Sequence, residues 1–345
     1  MKDSLLSLLR CRRCGHWFQL LAAALEENEV MEGTLTCQGC GAEFPIRRGI
    51  PRFVPQLLDK EKQATAAAFG YEWTHYSEIT EADRKEFLAW IAPLGPADFR
   101  DQVVLDGGCG KGRHIFQAAE FGARTVVGVD LSDAVEAAFR NTRHLPNVHV
   151  VQADLLELPF ANPFTLVYSI GVLHHLPVPK EGFLALTKHV RPGGRIVTWV
   201  YGKEGNAWIE KLVDPVRKAL TSRAPKWVTR CLCFPLAVVL YITLKLLYRP
   251  ARNRPSLKRV LPYSDYLCSI SDYSFAENFW NVFDQLVAPT AYYHSRTEVE
   301  EWYRTAGAQR VEIGRHNANS WRGTGLIESA ELRAQSSDIP DRSGN

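Results

Sequence analysis

The stretch LDGGCGKGRH, residues 105–114, holds four glycines and one lysine in ten residues, a density that marks backbone brought close to something else. A phosphate-cradling loop of the form G-x-x-x-x-G-K-[ST] would need lysine after Gly112, where Arg113 stands. A dinucleotide fingerprint G-x-G-x-x-G running through Gly108 and Gly110 would need its third glycine at position 113, again Arg113. Both readings fail, and a nicotinamide cofactor fails with them. What is left is D-x-G-x-G-x-G, made of Asp106, Gly108, Gly110 and Gly112: an acid closing an apolar run, followed by a glycine turn.

Outward from this turn the chain repeats one pattern. Apolar runs at 103–106, 125–130, 148–154, 164–169 and 195–201 alternate with helical stretches such as KGRHIFQAAEF (111–121) and SDAVEAAFRNTR (132–143). Such alternation predicts an α/β fold with a parallel sheet and helices on both faces. Ligands of such sheets lie at the carboxyl ends of the strands. Asp106, Asp130 and Asp154 close the first three runs at intervals of 24 residues. An acceptor-only carboxylate at a strand tip suits ribose hydroxyls or an exocyclic amine, although each alone could be a turn former.

The glycine turn and the three spaced acids resemble the class I S-adenosylmethionine-dependent methyltransferases, over about Val103 to Tyr201 and a C-terminal part. The resemblance implies that the turn passes against the methionine part of the donor. It further implies that Asp130, with Leu131 after it, meets the ribose, and that Asp154 faces the adenine amine with Leu155 beside the ring. Ile170 opens IGVLHH, the segment that lines donor and acceptor. Thr165 stands where an acid is common in the family, which weakens acid chemistry on that strand. Because a sulfonium donor is already activated, no enzyme nucleophile is needed, and Cys109 inside the turn reads as a wall residue. An acceptor hydroxyl would need a base, for which His174, His175 and His294 are the candidates.

Toward the N-terminus, Cys11, Cys14, Cys37 and Cys40 form C-x2-C-x22-C-x2-C. Four thiolates in two knuckles close a tetrahedron around Zn²⁺ with no open position, which predicts a structural zinc. The other four of the eight cysteines, Cys109, Cys231, Cys233 and Cys268, are scattered, a usage that suits a reducing compartment. CQGCGAEFPIRRGIP, residues 37–51, resembles the small zinc ribbons that act elsewhere as activating partners of methyltransferases of tRNA, rRNA and release factors. The expected division is a zinc ribbon over 1–55, an aromatic-rich helical connector over 56–100, and a Rossmann-like methyltransferase core over 101–202. A hydrophobic and basic helical insertion over 203–270, the C-terminal part of the methyltransferase fold over 271–328, and a loose tail over 329–345 complete it.

In the connector, Phe69, Tyr71, Trp73, His75 and Tyr76 fall within eight residues. Tyr71, Trp73 and Tyr76 are candidate walls of a substrate pocket, as are Tyr292 and Tyr293 on the loop PTAYYHS; the alternative for such rings is packing on the next domain. The insertion carries CLCFPLAVVLYITL (231–244), 14 residues without a charge. At about 1.5 Å per residue they reach about 21 Å, short of the roughly 30 Å of a bilayer core. With its basic and tryptophan fringe, the segment 227–248 reads either as an element resting on an anionic bilayer or admitting a lipid-like acceptor, or as a buried helix of an enlarged domain.

A formal charge of +3 and a pI near 8.4 fall short of the pI above about 9 of a dedicated nucleic-acid binder. The N-terminal LLSLL is too short for a secretory leader, so a cytoplasmic protein, with contact to the inner face of the membrane, is expected. The apolar insertion favours methyl transfer to a small-molecule or lipid-like acceptor, with O-methylation the expected chemistry. The alternative is an RNA methyltransferase, since rRNA guanine methyltransferases also join a zinc ribbon to this fold, with Arg12, Arg13, Arg47, Arg48 and Arg52 on phosphates. A third is a non-catalytic, donor-binding activator. The oligomeric state is left open.

Overall fold

The computed structural model describes residues 1–55, 57–161, 164–221 and 224–328. The tail expected over 329–345 lies outside the described residues. The N-terminal unit is four antiparallel strands, β1 (Phe18–Glu26), β2 (Glu29–Cys37), β3 (Glu43–Arg47) and β4 (Ile50–Phe53). Glu27 and Asn28 join the first pair, and Arg48 and Gly49 the last, all four at positive φ, the two-residue turns whose twist matches that of the strands they connect.

This ribbon is not a separate bead. β4 pairs in parallel with β7 (Val148–Ala153), through Arg52 against Gln152 and Phe53 against Ala153. The result is one 11-stranded sheet in the order β1-β2-β3-β4-β7-β6-β5-β8-β9-β11-β10. Its centre is parallel: β5 (Val103–Gly107), β6 (Thr125–Asp130), β7, β8 (Phe164–Ile170) and β9 (Val190–Tyr201). The hairpin of β10 (Ala308–His316) and β11 (Ser320–Ile327) closes the edge antiparallel to β9. Every residue of β5, β7 and β8 is buried, as expected of parallel strands covered on both faces.

Helices α1 (Lys60–His75) and α2 (Glu81–Ile91) form the connector, and α3 (Arg113–Glu120), α4 (Ala134–Thr142) and α5 (Pro179–Thr187) follow successive strands. One face of the sheet packs Phe87, Ile91, Ile115, Val135 and Ala138 from α2, α3 and α4. The other packs Phe183 and Leu186 of α5 together with Leu5, Leu9, Phe18 and Leu35 of the ribbon. Ribbon and parallel sheet therefore share one hydrophobic core. Arg10 N–H donates to Pro159 O at 2.8 Å, and Lys2 Nζ donates to Leu145 O and Val148 O, each at 3.0 Å, across the same seam.

The insertion departs from the expectation in length. Its helix begins at Lys226, passes through Pro235, and continues by wider turns to Ala251. These 26 residues reach about 39 Å and are, by length and composition alone, long and apolar enough to cross a bilayer. The extension passes Lys245 because its ammonium is held by Ser271 O at 2.9 Å and Tyr273 O at 2.8 Å. One face of this helix, with Cys233, packs on Trp280 and Phe283 of the helix Phe275–Val287. Leu232, Phe234, Val239, Ile242 and Leu246 on other faces are exposed.

Candidate active site

The strand order reverses between β5 and β8, with β6 and β7 laid outward on one side and β9 on the other, which opens the crevice that parallel sheets use for ligands. β5 runs into the glycine turn there. Gly108 N–H and Cys109 N–H donate to Val129 O, and Gly110 N–H donates to Asp130 Oδ2 at 2.9 Å. Gly108 stands at φ +94° and Gly110 at φ +51°; a Cβ on the first would lie 2.3 Å from Val172, and on the second 3.2 Å from Trp73 Nε1. The first position has no room for a side chain, and the second is crowded and in the left-handed region that favours glycine. Asp130 Oδ1 accepts from Ser132 N–H and Oγ–H at 2.8 and 2.7 Å, which fixes the carboxylate while leaving acceptor capacity toward the crevice.

A cavity of about 1320 Å³ lies over this turn, above the roughly 300–1000 Å³ of a single small-molecule site. Gly108, Gly110, Asp130, Leu131, Asp154, Leu155 and Ile170 line it. Asp154 is engaged on both oxygens, by Lys62 Nζ at 2.6 Å and by Leu156 N–H at 2.9 Å. Asp106 and Gly112 stand behind the wall instead. Asp106 is fully buried, with His114 Nδ1 4.0 Å away, and burial raises its proton affinity well above the ordinary value. Gly112, at φ +86°, starts α3 against Ala138.

The aromatic segment of α1 divides between two roles. Phe69, Trp73 and Tyr76 line the cavity, whereas Tyr71 packs in the core against Phe283, 5.8 Å between ring centroids. Tyr76 stacks between Trp73 and Trp280 at 6.5 and 5.7 Å, with Lys111 Nζ 3.9 Å over its ring. Tyr293 lines the cavity, while Tyr292 is on the surface at 40% exposure and only its backbone N–H is fixed, on His174 O.

Of the three histidines, the structure brings only His175 to the cavity. Its Nδ1 lies 2.6 Å from Thr290 O and therefore donates, and burial pulls its pKa down to about 4. His174 is buried under Tyr201, ring centroids 3.9 Å apart, and burial depresses it further. His294 packs on Trp302 at 4.7 Å and is lowered to about 4, chiefly by burial. Carboxyl groups that sequence reasoning passed over also line the cavity, Glu72 and Asp284 together with Asp83, Glu86, Asp272 and Glu277. Glu72 was legible: positions 69, 72, 73 and 76 fall at i, i+3, i+4 and i+7, one helix face.

In the ribbon, the Sγ atoms of Cys11, Cys14, Cys37 and Cys40 all lie within 4.8 Å of one another, with Cys11 to Cys40 at 3.7 Å and Cys14 to Cys37 at 3.3 Å. Zinc–sulfur bonds of about 2.3 Å in a tetrahedron need sulfurs about 3.8 Å apart. The cluster fits a structural zinc.

Residues 104–194 match the family described as methyltransferase domain, and residues 2–49 that described as Trm112p-like protein. The chain joins a methyltransferase domain to a Trm112p-like ribbon. S-adenosylmethionine is the donor of this fold, and the close backbone approach at Gly108 and Gly110, the fixed Asp130 and the apolar pair Leu131 and Leu155 fit it. The tRNA U34 carboxymethyltransferase of Psychromonas ingrahamii is 36% identical over 175 residues, covering 48% of this chain and 52% of that protein. That of Pseudoalteromonas atlantica is 34% identical over 109 residues, covering 31% and 34%. An S-adenosylmethionine-dependent methyltransferase structure from Mesorhizobium loti is 29% identical, covering 32% of this chain and 50% of that one, with a TM-score of 0.29. The chain spans about half the length, or less, of these relatives.

The relatives overturn one expectation from the sequence. They are named for transfer to tRNA, so the preference for a small-molecule or lipid-like acceptor, with RNA the lesser partner, is corrected. The apolar insertion that carried that preference contributes Leu236 and Leu240 to the cavity wall and Cys233 to a core. Of the five ribbon arginines, Arg13 and Arg47 are exposed, and the other three make ion pairs. Arg52 and Arg48 pair with Glu136 at 2.5 and 3.5 Å, and Arg12 pairs with Glu157, all across the seam to the methyltransferase domain.

Proposed function

We propose that the protein transfers a one-carbon or substituted one-carbon group from an S-adenosylmethionine-type sulfonium to a base of RNA, with tRNA the substrate class. The observation that carries this reading is the 36% identity over 175 residues to a tRNA U34 carboxymethyltransferase. The cavity supports it independently. Beyond the donor cradle, its walls include Trp73, Tyr76, Trp90, Trp199 and Trp280, and RNA bases splayed from their strand are held by stacking on such rings.

The bound donor supplies an electrophilic carbon on a positively charged sulfur. The chain's own residues do the rest. Gly108 and Gly110 let the backbone approach it; Asp130 accepts from hydroxyls; the aromatic walls exclude water and hold an acceptor base in line behind the carbon. The zinc ribbon completes the sheet edge at β7, whose following residue Asp154 lines the site, and so positions the donor pocket in cis.

The test is incubation of zinc-loaded protein and labelled donor with tRNA and rRNA, then digestion to nucleosides and mass determination. Label in a tRNA nucleoside supports the reading, and the mass gain distinguishes methyl from carboxymethyl. Label in no RNA contradicts it.

A further inference from the structure

Of the carboxyl groups that line the cavity outside the donor cradle, Asp83 and Glu86 pair with Arg113, Asp272 pairs with Arg249 and Arg252, and Glu277 accepts from Ser274 N–H, which leaves Glu72 to be accounted for. Glu72 is only 2% exposed, and its Oε2 has no hydrogen-bond partner among the described residues. Leaving a buried carboxyl oxygen unpaired is costly, and Gln or an apolar residue would fill the same helix face at lower cost. Glu72 instead lines the cavity that lies over the donor turn. Trp73, the adjacent residue in α1, packs on Gly110 of the donor turn, and both Glu72 and Trp73 line the cavity.

Asp284 also lines the cavity, from the helix Phe275–Val287. It accepts from Tyr201 Oη at 3.2 Å, and Gln285 Nε2 donates to the same hydroxyl at 3.2 Å. Burial first, and the charge of Asp284 second, raise the proton affinity of Glu72 well above the usual carboxylate range; Arg113 and Lys111 oppose this. Asp284 is raised as well, by burial, against the pull of the Tyr201 hydrogen bond, Arg217 and Arg113. Cys233, on the helix that starts at Lys226, also feels the Glu72 charge and is held as a thiol chiefly by burial. A carboxylate of raised proton affinity is a stronger base than an ordinary one, whereas His175 is held down to about 4 by burial.

We propose that Glu72, which lines the same cavity as the hydrogen-bonded pair Asp284 and Tyr201, accepts the proton of the acceptor O–H or N–H on the RNA base. The inference rests on the RNA reading above. In the step, the acceptor lone pair forms the bond to the transferred carbon while the carbon–sulfur bond breaks and its electron pair returns to sulfur, leaving a neutral thioether. The acceptor proton moves to Glu72 Oε2 and leaves to solvent on product release. Because Glu72 must first be ionised, the rate rises with pH through its raised pKa.

The experiment compares zinc-loaded wild type with Glu72→Gln and Glu72→Asp. Infrared difference spectra on titration, with S-adenosylhomocysteine bound, are expected to show a carboxyl that loses its proton above the ordinary carboxylate range, present in wild type and missing in Glu72→Gln. Transfer to tRNA is expected to fall about 10²- to 10⁴-fold in Glu72→Gln, with its pH limb lost, and to be partly restored in Glu72→Asp. Unchanged S-adenosylhomocysteine affinity by calorimetry shows that the variants are folded. Wild type modifying tRNA while Glu72→Gln keeps both rate and pH limb overturns the Glu72 assignment and leaves the RNA reading standing. Wild type modifying no RNA overturns the RNA reading itself. Absence of the titrating band from wild type overturns the Glu72 assignment whatever the substrate.

Discussion

Lys62 Nζ lies 2.6 Å from Asp154 Oδ2, so the first connector helix is pinned to the residue that follows β7, the strand on which the ribbon docks. Asp154 is buried and Lys62 mostly so. Removing one partner strands the other charge, which in buried pairs costs up to about 3–5 kcal/mol. With Lys62 partly solvated, Lys62→Met is expected to lower stability by about 1–3 kcal/mol, read as a lower urea midpoint at unchanged slope.

Gly108 makes the sharper test of the cradle. At φ +94° with Val172 2.3 Å from the place of a β-carbon, Gly108→Ala must shift the turn. Calorimetry with S-adenosylhomocysteine is expected to show affinity reduced at least about tenfold, equal to about 1.4 kcal/mol, in a protein whose far-ultraviolet circular dichroism is unchanged.

The glycine turn, the alternation of strand and helix, and the cysteine array were all legible, because each is a local pattern whose physics is fixed by residue type. The continuity of the sheet was not. Arg52 and Phe53 pair with Gln152 and Ala153, a contact between segments 100 residues apart in the chain that leaves no local periodicity to read. For a related reason the sequence did not separate the three histidines. Their type suits a base, but His174 and His294 point into packing against Tyr201 and Trp302, and only tertiary structure decides which ring meets the cavity.

Zinc should stabilise more than the ribbon. Since Leu5, Leu9, Phe18 and Leu35 share a core with Val151, Phe183 and Leu186, chelation or Cys37→Ser is expected to lower the melting temperature of the whole protein in one transition. A ribbon that melts alone, with the methyltransferase domain unmoved in calorimetry, would contradict the shared core.

Acid should destabilise the fold through its buried histidines. His149, His175, His294 and His316 are lowered from 6.5 to about 4, each chiefly by burial. Between pH 6.5 and 4 the unfolded chain therefore binds more protons than the fold, so stability rises with pH across this window and is lost as pH falls through it. Each such group contributes up to about 1.4 kcal/mol per pH unit. Urea midpoints measured from about pH 7 down to about pH 4.5 should fall accordingly, and His175→Gln, which keeps a donor for Thr290 O, should flatten the slope.

The central claim is that a donor seated on Gly108 and Gly110 is delivered to an RNA base. Labelled S-adenosylmethionine, incubated with fractionated RNA and with lipid and small-molecule extracts, and run in parallel with wild type and Gly108→Ala, tests it most directly. With donor below saturation, label is expected in one tRNA nucleoside with wild type and at least about tenfold less of it with Gly108→Ala. Label confined to the lipid or small-molecule fraction, or equal labelling of RNA by both proteins, would contradict it.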